Sequence, residues 1–398
     1  MTRTGDDARR TVGSRRIATF GETVFATYSR LARETDAIDL GQGFPDFDPP
    51  SLVIEALRDS VDGYQQYPPL PGWPALLEAL AADKGGRLGR PLDPTGNLLV
   101  TVGATEALFS AMQAFIDPGD EVVLIEPFYD AYPADVIMAG GVPRFVPLEP
   151  QQDGRWLLDI DRLRSAFGKR TRMIVVNSPH NPSGKVFSAD ELDAIIELAE
   201  EFDALILADQ VYEHISYVPF VDLLSRPGAW ERAIAISSFG KTFSVTGWKI
   251  GWACGPAPLI ATLRTAHQWV PFTVAMPLQE AAARVIRQAA GGSYYRELES
   301  AYRRRRDLLL AALAGTPFWA LRPEGGYFIV ADTEELDYAD DVALCLDLPA
   351  RAGVSAIPPS AFYSPGHRDL ARNLVRFAFC KKDEAILEAG ERLARLAQ

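Results

Sequence analysis

The amino-acid sequence predicts an α/β protein with a large domain built on a mostly parallel, helix-flanked sheet and a smaller α+β domain. Three observations carry that reading. Short β-branched runs alternate with helical patterns through the middle of the chain. After about residue 285 the alternation gives way to one long charged helix and a few short strands. Each central strand run also ends on an unusual polar or aromatic group, and open parallel sheets bind ligands beyond those ends.

In chain order the central runs are "NLLVTV" (97–102), "DEVVLI" (120–125), "RMIVV" (172–176), "ALILA" (204–208) and "AIAIS" (233–237). Each is apolar throughout most of its length, as expected of strands covered on both faces. The first is followed by a helical pattern from Thr105 to Phe115, and "ELDAIIELAEEF" (191–202) is an amphipathic helix between the third and fourth. Beyond them come "YYRELESAYRRRRDLLLAALAG", "GGYFIVAD", "GVSAIPPSAF", "LVRFAFC" and a last helix. The segment ahead of "LGQGFPDFDPP" has no partner of its own and is assigned to the smaller domain. The expected division is a flexible arm over 1–16, a small domain from 17–45 with 286–398, and a large cofactor-binding domain over 46–285. The Pro- and Gly-rich stretch 41–50 is the crossing point.

Composition narrows the function classes. The chain has 398 residues, of which 47 % are apolar and 23 % charged, an ordinary globular balance. Its formal net charge is 40 minus 53, or -13, which argues against non-specific binding of nucleic acid or anionic membrane. The arginines of residues 1–16 surround no apolar core, unlike a signal peptide. No uncharged apolar run is long enough for a membrane helix. Cys254, Cys345 and Cys380 stand far apart in apolar contexts, and the four histidines have no metal-ligand spacing. Free core thiols, a cytoplasmic location and no metal site are expected.

The strand ends supply the chemistry. Gly103-Ala104-Thr105 opens a helix after the first run, offering backbone N–H groups and a positive dipole end to an anion. Tyr129 follows the second run, Asn181 the third, Asp209 and Tyr212 the fourth, Ser238 and Lys241 the fifth. In "SSFGKTFSVTGWKIGW" (237–252), Lys241 and Lys249 stand eight apart with no carboxylate between or beside them. Lys249 and Ser238 suit a phosphate, and an apolar, glycine-lined Lys241 suits a neutral amine nucleophile. A shielded aspartate keeps its charge only beside a cation. Phosphate, pyridinium nitrogen and aldehyde together describe pyridoxal 5'-phosphate.

The stretches "LGQGFPDFDPP", "QQYPPLPG", "VTVGATEAL", "IEPFYDAY", "NSPHNPSGKV", "SSFGKTFSVTGWKIGW" and "VRFAFC" are jointly similar to the class I aminotransferases of fold type I. Within them the chain most resembles the branch of kynurenine, glutamine and methionine aminotransferases and succinyldiaminopimelate aminotransferases. The resemblance spans nearly the whole chain and implies a seven-stranded sheet and a cytoplasmic homodimer with shared active sites. It implies that Lys241 forms the Schiff base and moves the substrate proton, that Asp209 pairs with the pyridine nitrogen, and that Tyr212 and Asn181 hydrogen-bond the phenolic oxygen. Tyr129 would stack on the ring; Ala104, Thr105, Ser238 and Lys249 would hold the phosphate, with Tyr67 reaching the neighbouring subunit's phosphate. Arg376 would clamp the substrate α-carboxylate, assisted by the Gly43 N–H, and Phe25 would line the side-chain pocket. Two positions depart from common patterns: Lys249 stands where many class I enzymes have arginine, and Gln210 where glutamate usually follows the aspartate.

The first expectation is therefore a ping-pong aminotransferase. A lyase or oxidase on the same cofactor is the alternative, because elimination begins from the same proton removal. An effector-sensing regulatory module is disfavoured, since a short arm stands where a DNA-binding domain would be. For the amino donor, stretches 39–50, 64–72 and 269–279 contain no arginine or lysine. They offer Phe44, Phe47, Tyr64, Trp269 and Phe272 instead, besides Phe25. A large neutral or aromatic donor such as methionine, glutamine, phenylalanine or kynurenine is expected over aspartate. A succinylated diaminopimelate is kept as the alternative, its distal charge reaching to the entrance.

Overall fold

The computed structural model describes residues 13–18, 20–151 and 153–397. Seven strands form the main sheet: β1 (Leu98–Val102), β2 (Glu121–Glu126), β3 (Val142–Pro147), β4 (Thr171–Asn177), β5 (Leu205–Asp209), β6 (Ala233–Ser238) and β7 (Ile250–Cys254). Their spatial order is β1-β7-β6-β5-β4-β2-β3. Only β7 runs antiparallel to its neighbours, with Trp252 opposite Val100 on one side and Ser237 on the other.

Successive residues of these strands enter different cores, as a pleated sheet covered on both faces requires. Val100, Val123, Ile174 and Ile206 join one cluster, while Leu99, Val122, Val175 and Leu207 join another. The first lies under the helices Ser51–Val61, Pro74–Leu88 and Met276–Ala290; the second is capped by a helix spanning Gly103–Phe115. A third core gathers around a three-stranded antiparallel sheet of β8 (Trp319–Ala320), β9 (Phe328–Asp332) and β10 (Leu374–Ala378). The N-terminal helix Val24–Glu34 contributes Tyr28 to this core, and Ile38–Asp39 pairs in parallel with Val354–Ser355. The Ala378 N–H donates to the Leu40 carbonyl at 2.6 Å, fastening the N-terminal stretch to β10.

Two strands carry no clear signature in the sequence, for physical reasons. β3 holds Pro143 and Pro147, which an edge strand tolerates because one side of its ladder is unpaired. β7 holds Gly251, where a Cβ would lie 2.6 Å from the Ala104 nitrogen, so the strand gives up a side chain to let the start of the helix after β1 approach. Of the expected arm, residues 1–12 lie outside the described residues. Ser14 caps a short turn over Arg15–Ile17, and Arg16 Nη1 donates to the Met138 carbonyl at 2.9 Å. The three cysteines are free and buried. No helix among the described residues is long and apolar enough to cross a membrane.

Candidate active site

A cleft of about 290 Å³ opens where the ends of β1, β4, β5 and β6 meet the N-terminal crossing loop and β9 and β10. Every residue assigned to the site from sequence lines it except Tyr67.

At one end the chain leaves β1 and turns at Gly103, whose φ of 69° admits glycine readily. A Cβ there would stand 3.3 Å from Lys249 Nζ, so the bare backbone lets the cation sit over the start of the helix. Lys249 is itself in the left-handed region and donates to Thr105 Oγ1 at 3.3 Å. Burial lowers its pKa, and it belongs to none of the ion pairs among the described residues. Ser238 ends β6 beside this point, buried. The helix N–H groups, a hydroxyl and an unpaired ammonium make a cradle for a dianion.

In the middle, Asp209 ends β5 and is sealed from solvent. Its Oδ2 accepts from the Tyr132 hydroxyl at 2.6 Å and its Oδ1 from the Val211 N–H at 3.2 Å. Burial raises its pKa despite these bonds. A buried carboxylate with no cation bonded to it suits the protonated nitrogen of a heterocycle. Tyr129 packs edge-on against Tyr132, with 5.6 Å between ring centroids.

Lys241 lies in the short helix after β6. Its Nζ donates to the Tyr327 hydroxyl at 3.0 Å and stands 5.8 Å from the Tyr212 ring centre. Burial pulls its pKa down to about 8, against the opposing pull of Cys380 and Asp209. A fraction of the amine is therefore neutral near physiological pH.

At the other end Arg376 projects from β10 with no exposed surface. Its Nη2 donates to the Gly41 carbonyl at 2.7 Å and its Nη1 to Asn181 Oδ1 at 3.3 Å, while Nε has no partner among the described residues. The guanidinium lies 4.2 Å from the Phe328 ring centre, 5.1 Å from Phe362 and 5.3 Å from Phe25. Burial lowers its pKa to about 10. A cation caged by aromatic faces, with an idle donor and no carboxylate bonded to it, is ready for an anionic ligand. Gly43 must be glycine here, because a Cβ would come within 2.6 Å of the Phe328 ring.

Several sequence expectations need adjusting. Of the six aromatics assigned to the pocket wall, Phe25 and Phe44 line this cleft. Phe47 lies under Arg305 instead, 4.4 Å from the guanidinium. Tyr64 stacks on Trp73, while Trp269 and Phe272 are exposed away from the cleft, with Phe272 edge-on to Tyr67. Conversely, Tyr132, Tyr327 and Phe328 were not identified from sequence. Tyr132 had a usable signal, three residues beyond Tyr129 at the start of a helix. Tyr327 and Phe328 lie in "GGYFIVAD", which read only as a strand.

Gln210 faces away from the cleft. Its Oε1 accepts from Lys84 Nζ at 3.0 Å and its Nε2 donates to Asp222 Oδ1 at 3.3 Å. The same Lys84 meets Glu213 at 3.0 Å and Asp222 at 2.5 Å, and Arg87 meets Glu213 at 2.6 Å. His180 is buried against Ser183, its pKa pushed down to about 3 by desolvation, and His214 stacks on Tyr295. Among the described residues no cluster of His, Cys, Asp or Glu could hold a metal ion.

Comparison with known proteins agrees with this geometry. The family model "Aminotransferase class I and II" matches residues 35–393. The chain is 44 % identical to the probable N-succinyldiaminopimelate aminotransferase DapC of Mycobacterium tuberculosis, covering 96 % of this chain and 98 % of that one. It is 37 % identical to the kynurenine–oxoglutarate transaminase of Dictyostelium discoideum, covering 96 % of each. The solved N-succinyldiaminopimelate aminotransferase of M. tuberculosis superposes with a TM-score of 0.93 over 96 % of this chain and all of that one. YbdL of Escherichia coli, described as having a methionine aminotransferase function, superposes with a TM-score of 0.91 at 36 % identity, over 97 % of this chain and 100 % of that one. With a family model over most of its length and relatives of this identity and coverage, the chain belongs to the class I and II aminotransferases and is an α/β, fold type I aminotransferase dependent on pyridoxal 5'-phosphate.

Proposed function

We propose that the protein moves the amino group of a large neutral or aromatic L-amino acid, of the methionine, glutamine, kynurenine or phenylalanine type, to a 2-oxo acid. One observation carries this reading: among the described residues the only cations lining the cleft are Lys241, Lys249 and Arg376. Each has a task, so none is left for a side-chain carboxylate. Phe25, Phe44 and Phe328 line the same cleft. Burying a side chain of methionine or phenylalanine size is worth roughly 1.5–3 kcal/mol, whereas an unpaired carboxylate costs more than that.

In this reading Lys249, Ser238, Ala104 and Thr105 would hold the cofactor phosphate, Asp209, steadied by Tyr132, would keep a proton on the ring nitrogen, and Tyr129 would cover the ring. Bound there, pyridoxal phosphate supplies an electron sink for the electrons of the substrate Cα–H bond. Arg376 binds the α-carboxylate with its free donor edge, and the Gly43 N–H assists. Asn181 gives its amide oxygen to Arg376, and its NH₂, with the Tyr212 hydroxyl, would hydrogen-bond the phenolic oxygen of the cofactor. Lys241, largely neutral above pH 8, takes the Cα proton at Nζ and returns it elsewhere. The boundaries at 17–45, 46–285 and 286–398 belong to the same proposal, with the cleft between the two bodies.

We further infer a homodimer with shared sites. Tyr67 is 74 % exposed and Trp269 84 % exposed, and beside them Phe272 holds a φ of 68° that a bulky residue rarely adopts. A second copy would cover this patch and bring Tyr67 to its phosphate cradle. Mixing Tyr67→Ala with Lys241→Ala should then restore activity through hybrid dimers, and none appearing after confirmed subunit exchange would refute the shared site.

The substrate test compares kcat/KM for methionine, kynurenine, aspartate and an N-succinylated diaminopimelate. Methionine or kynurenine should exceed aspartate by roughly tenfold or more, about 1.4 kcal/mol. Aspartate in the lead would overturn the reading. The second reading, a succinylated diaminopimelate, is favoured by the 44 % identity to the M. tuberculosis enzyme, and a lead for that substrate would establish it. Turnover without any 2-oxo acid would instead indicate a cysteine-conjugate β-lyase or other elimination chemistry.

A further inference from the structure

Tyr327 occupies a position that the mechanism above does not use. It sits just before β9, fully buried, with its hydroxyl between two groups from distant parts of the chain and beside the Tyr212 hydroxyl. The oxygen accepts from Lys241 Nζ at 3.0 Å, and the hydroxyl donates to the Gly43 carbonyl at 2.6 Å. A phenol has one proton, and the shorter contact to a pure acceptor takes it. Its lone pairs are then left facing the amine. The ring is fixed by Tyr212 edge-on at 5.0 Å, Tyr302 stacked at 5.8 Å and Phe328 tilted at 4.8 Å. Such a hydroxyl cannot swing away to follow the lysine; the lysine must come to it.

We propose that Tyr327 is the positioning residue of Lys241, accepting a hydrogen bond from its amine when the amine is free and coupling it through the Gly43 carbonyl to the crossing loop. This rests on the reading of Lys241 as the reactive amine. An ammonium donates more strongly than a neutral amine, so the Tyr327 oxygen favours the protonated lysine. It thereby holds the proton at Nζ, pointed at one fixed place, between its removal from the substrate and its return. The Gly43 bond adds a second effect. The loop that carries Gly43 also carries the Gly41 carbonyl that accepts from Arg376. Arg376 and Lys241 are therefore registered to one another through Tyr327 and the three residues Gly41–Gln42–Gly43 rather than by direct contact.

Other groups act on Lys241 from around it: Asp209 at the end of β5, Cys380 and Arg376 from the β10 region, and Lys249 after the short helix. Tyr327→Phe removes the hydroxyl and leaves all of them, and the aromatic packing, in place.

The experiment uses apoenzyme and holoenzyme. In apoenzyme, the rate of Lys241 acetylation by acetic anhydride is followed against pH by mass spectrometry. Wild type should show an inflection near 8. Tyr327→Phe should move it down by about one pH unit, the size expected on losing one hydrogen bond to a charged group. In holoenzyme the same variant should lose about tenfold or more in kcat with KM changed less than threefold. Its primary isotope effect with Cα-deuterated donor should rise, because proton transfer becomes slower. An unmoved inflection together with an unmoved isotope effect would overturn the proposal. If Tyr327→Phe does not fold, Tyr327→4-fluorophenylalanine keeps the shape with a much weaker acceptor and no ionisable proton, and should shift the inflection the same way. Failure of the underlying reading is distinct: borohydride would then not trap pyridoxal phosphate on Lys241 even in wild type.

Discussion

Lys84 and Lys241 are both lysines held inside the molecule, and they differ in what meets the nitrogen. Lys84 is 1 % exposed and touches Gln210, Glu213 and Asp222, all within 3.0 Å. Burial alone would lower its pKa, but the Asp222 and Glu213 carboxylates outweigh it and hold the pKa above the ordinary lysine value. Lys241 opens onto the cleft, bonds a neutral tyrosine oxygen and is pulled down to about 8. The two clusters lie back to back across one peptide, since Asp209 faces the cleft and Gln210 faces Lys84. A buried charge with a full set of partners belongs to the scaffold, and one without them is waiting for a ligand. Arg376 and Asp209 follow the second pattern; Arg87 and Glu213 follow the first.

The largest effect should come from the lysine that has no carboxylate bonded to it. Lys241→Ala should lower turnover by about 10⁴-fold or more, roughly 5.5 kcal/mol, in amine-free buffer. Its thermal midpoint should stay level or rise, because an amine that burial disfavours has gone. Turnover within a hundredfold of wild type would place Lys241 with the scaffold lysines and erase the contrast. Lys84→Met should do the reverse. Leaving Asp222 buried without its cation, and Glu213 with Arg87 alone, is expected to cost about 3–5 kcal/mol of stability, read as a lower urea midpoint at unchanged slope. An unchanged midpoint would show that this buried network contributes nothing net.

The contrast also explains how far the sequence could be read. Five strand runs, the long charged helix and the polar strand ends were legible because each is a local pattern of burial. Lys241 stood out because its own window holds no carboxylate. The partners of Lys84 lie between 126 and 138 residues away, so nothing near it in sequence distinguishes it from a surface lysine. Tyr327 was missed for the same reason, since its two bonds reach 86 and 284 residues along the chain. β7 was hidden by Gly251, whose value lies in the side chain it lacks. Trp269 and Phe272 were assigned to a pocket wall because aromatic content says how much surface is apolar but not which cavity it faces.

The cage around Arg376 has a further consequence for the economy of the cell. Three phenyl rings and one idle N–H make a site that is comfortable only when the visiting molecule brings its own negative charge. A biogenic amine, which is an amino acid stripped of that charge, would add a second positive group to a dry pocket already holding one, with nothing to offset either. Decarboxylated amines are thus expected to be turned away by the protein's interior rather than by its entrance, a selectivity set by a missing charge instead of a closed door.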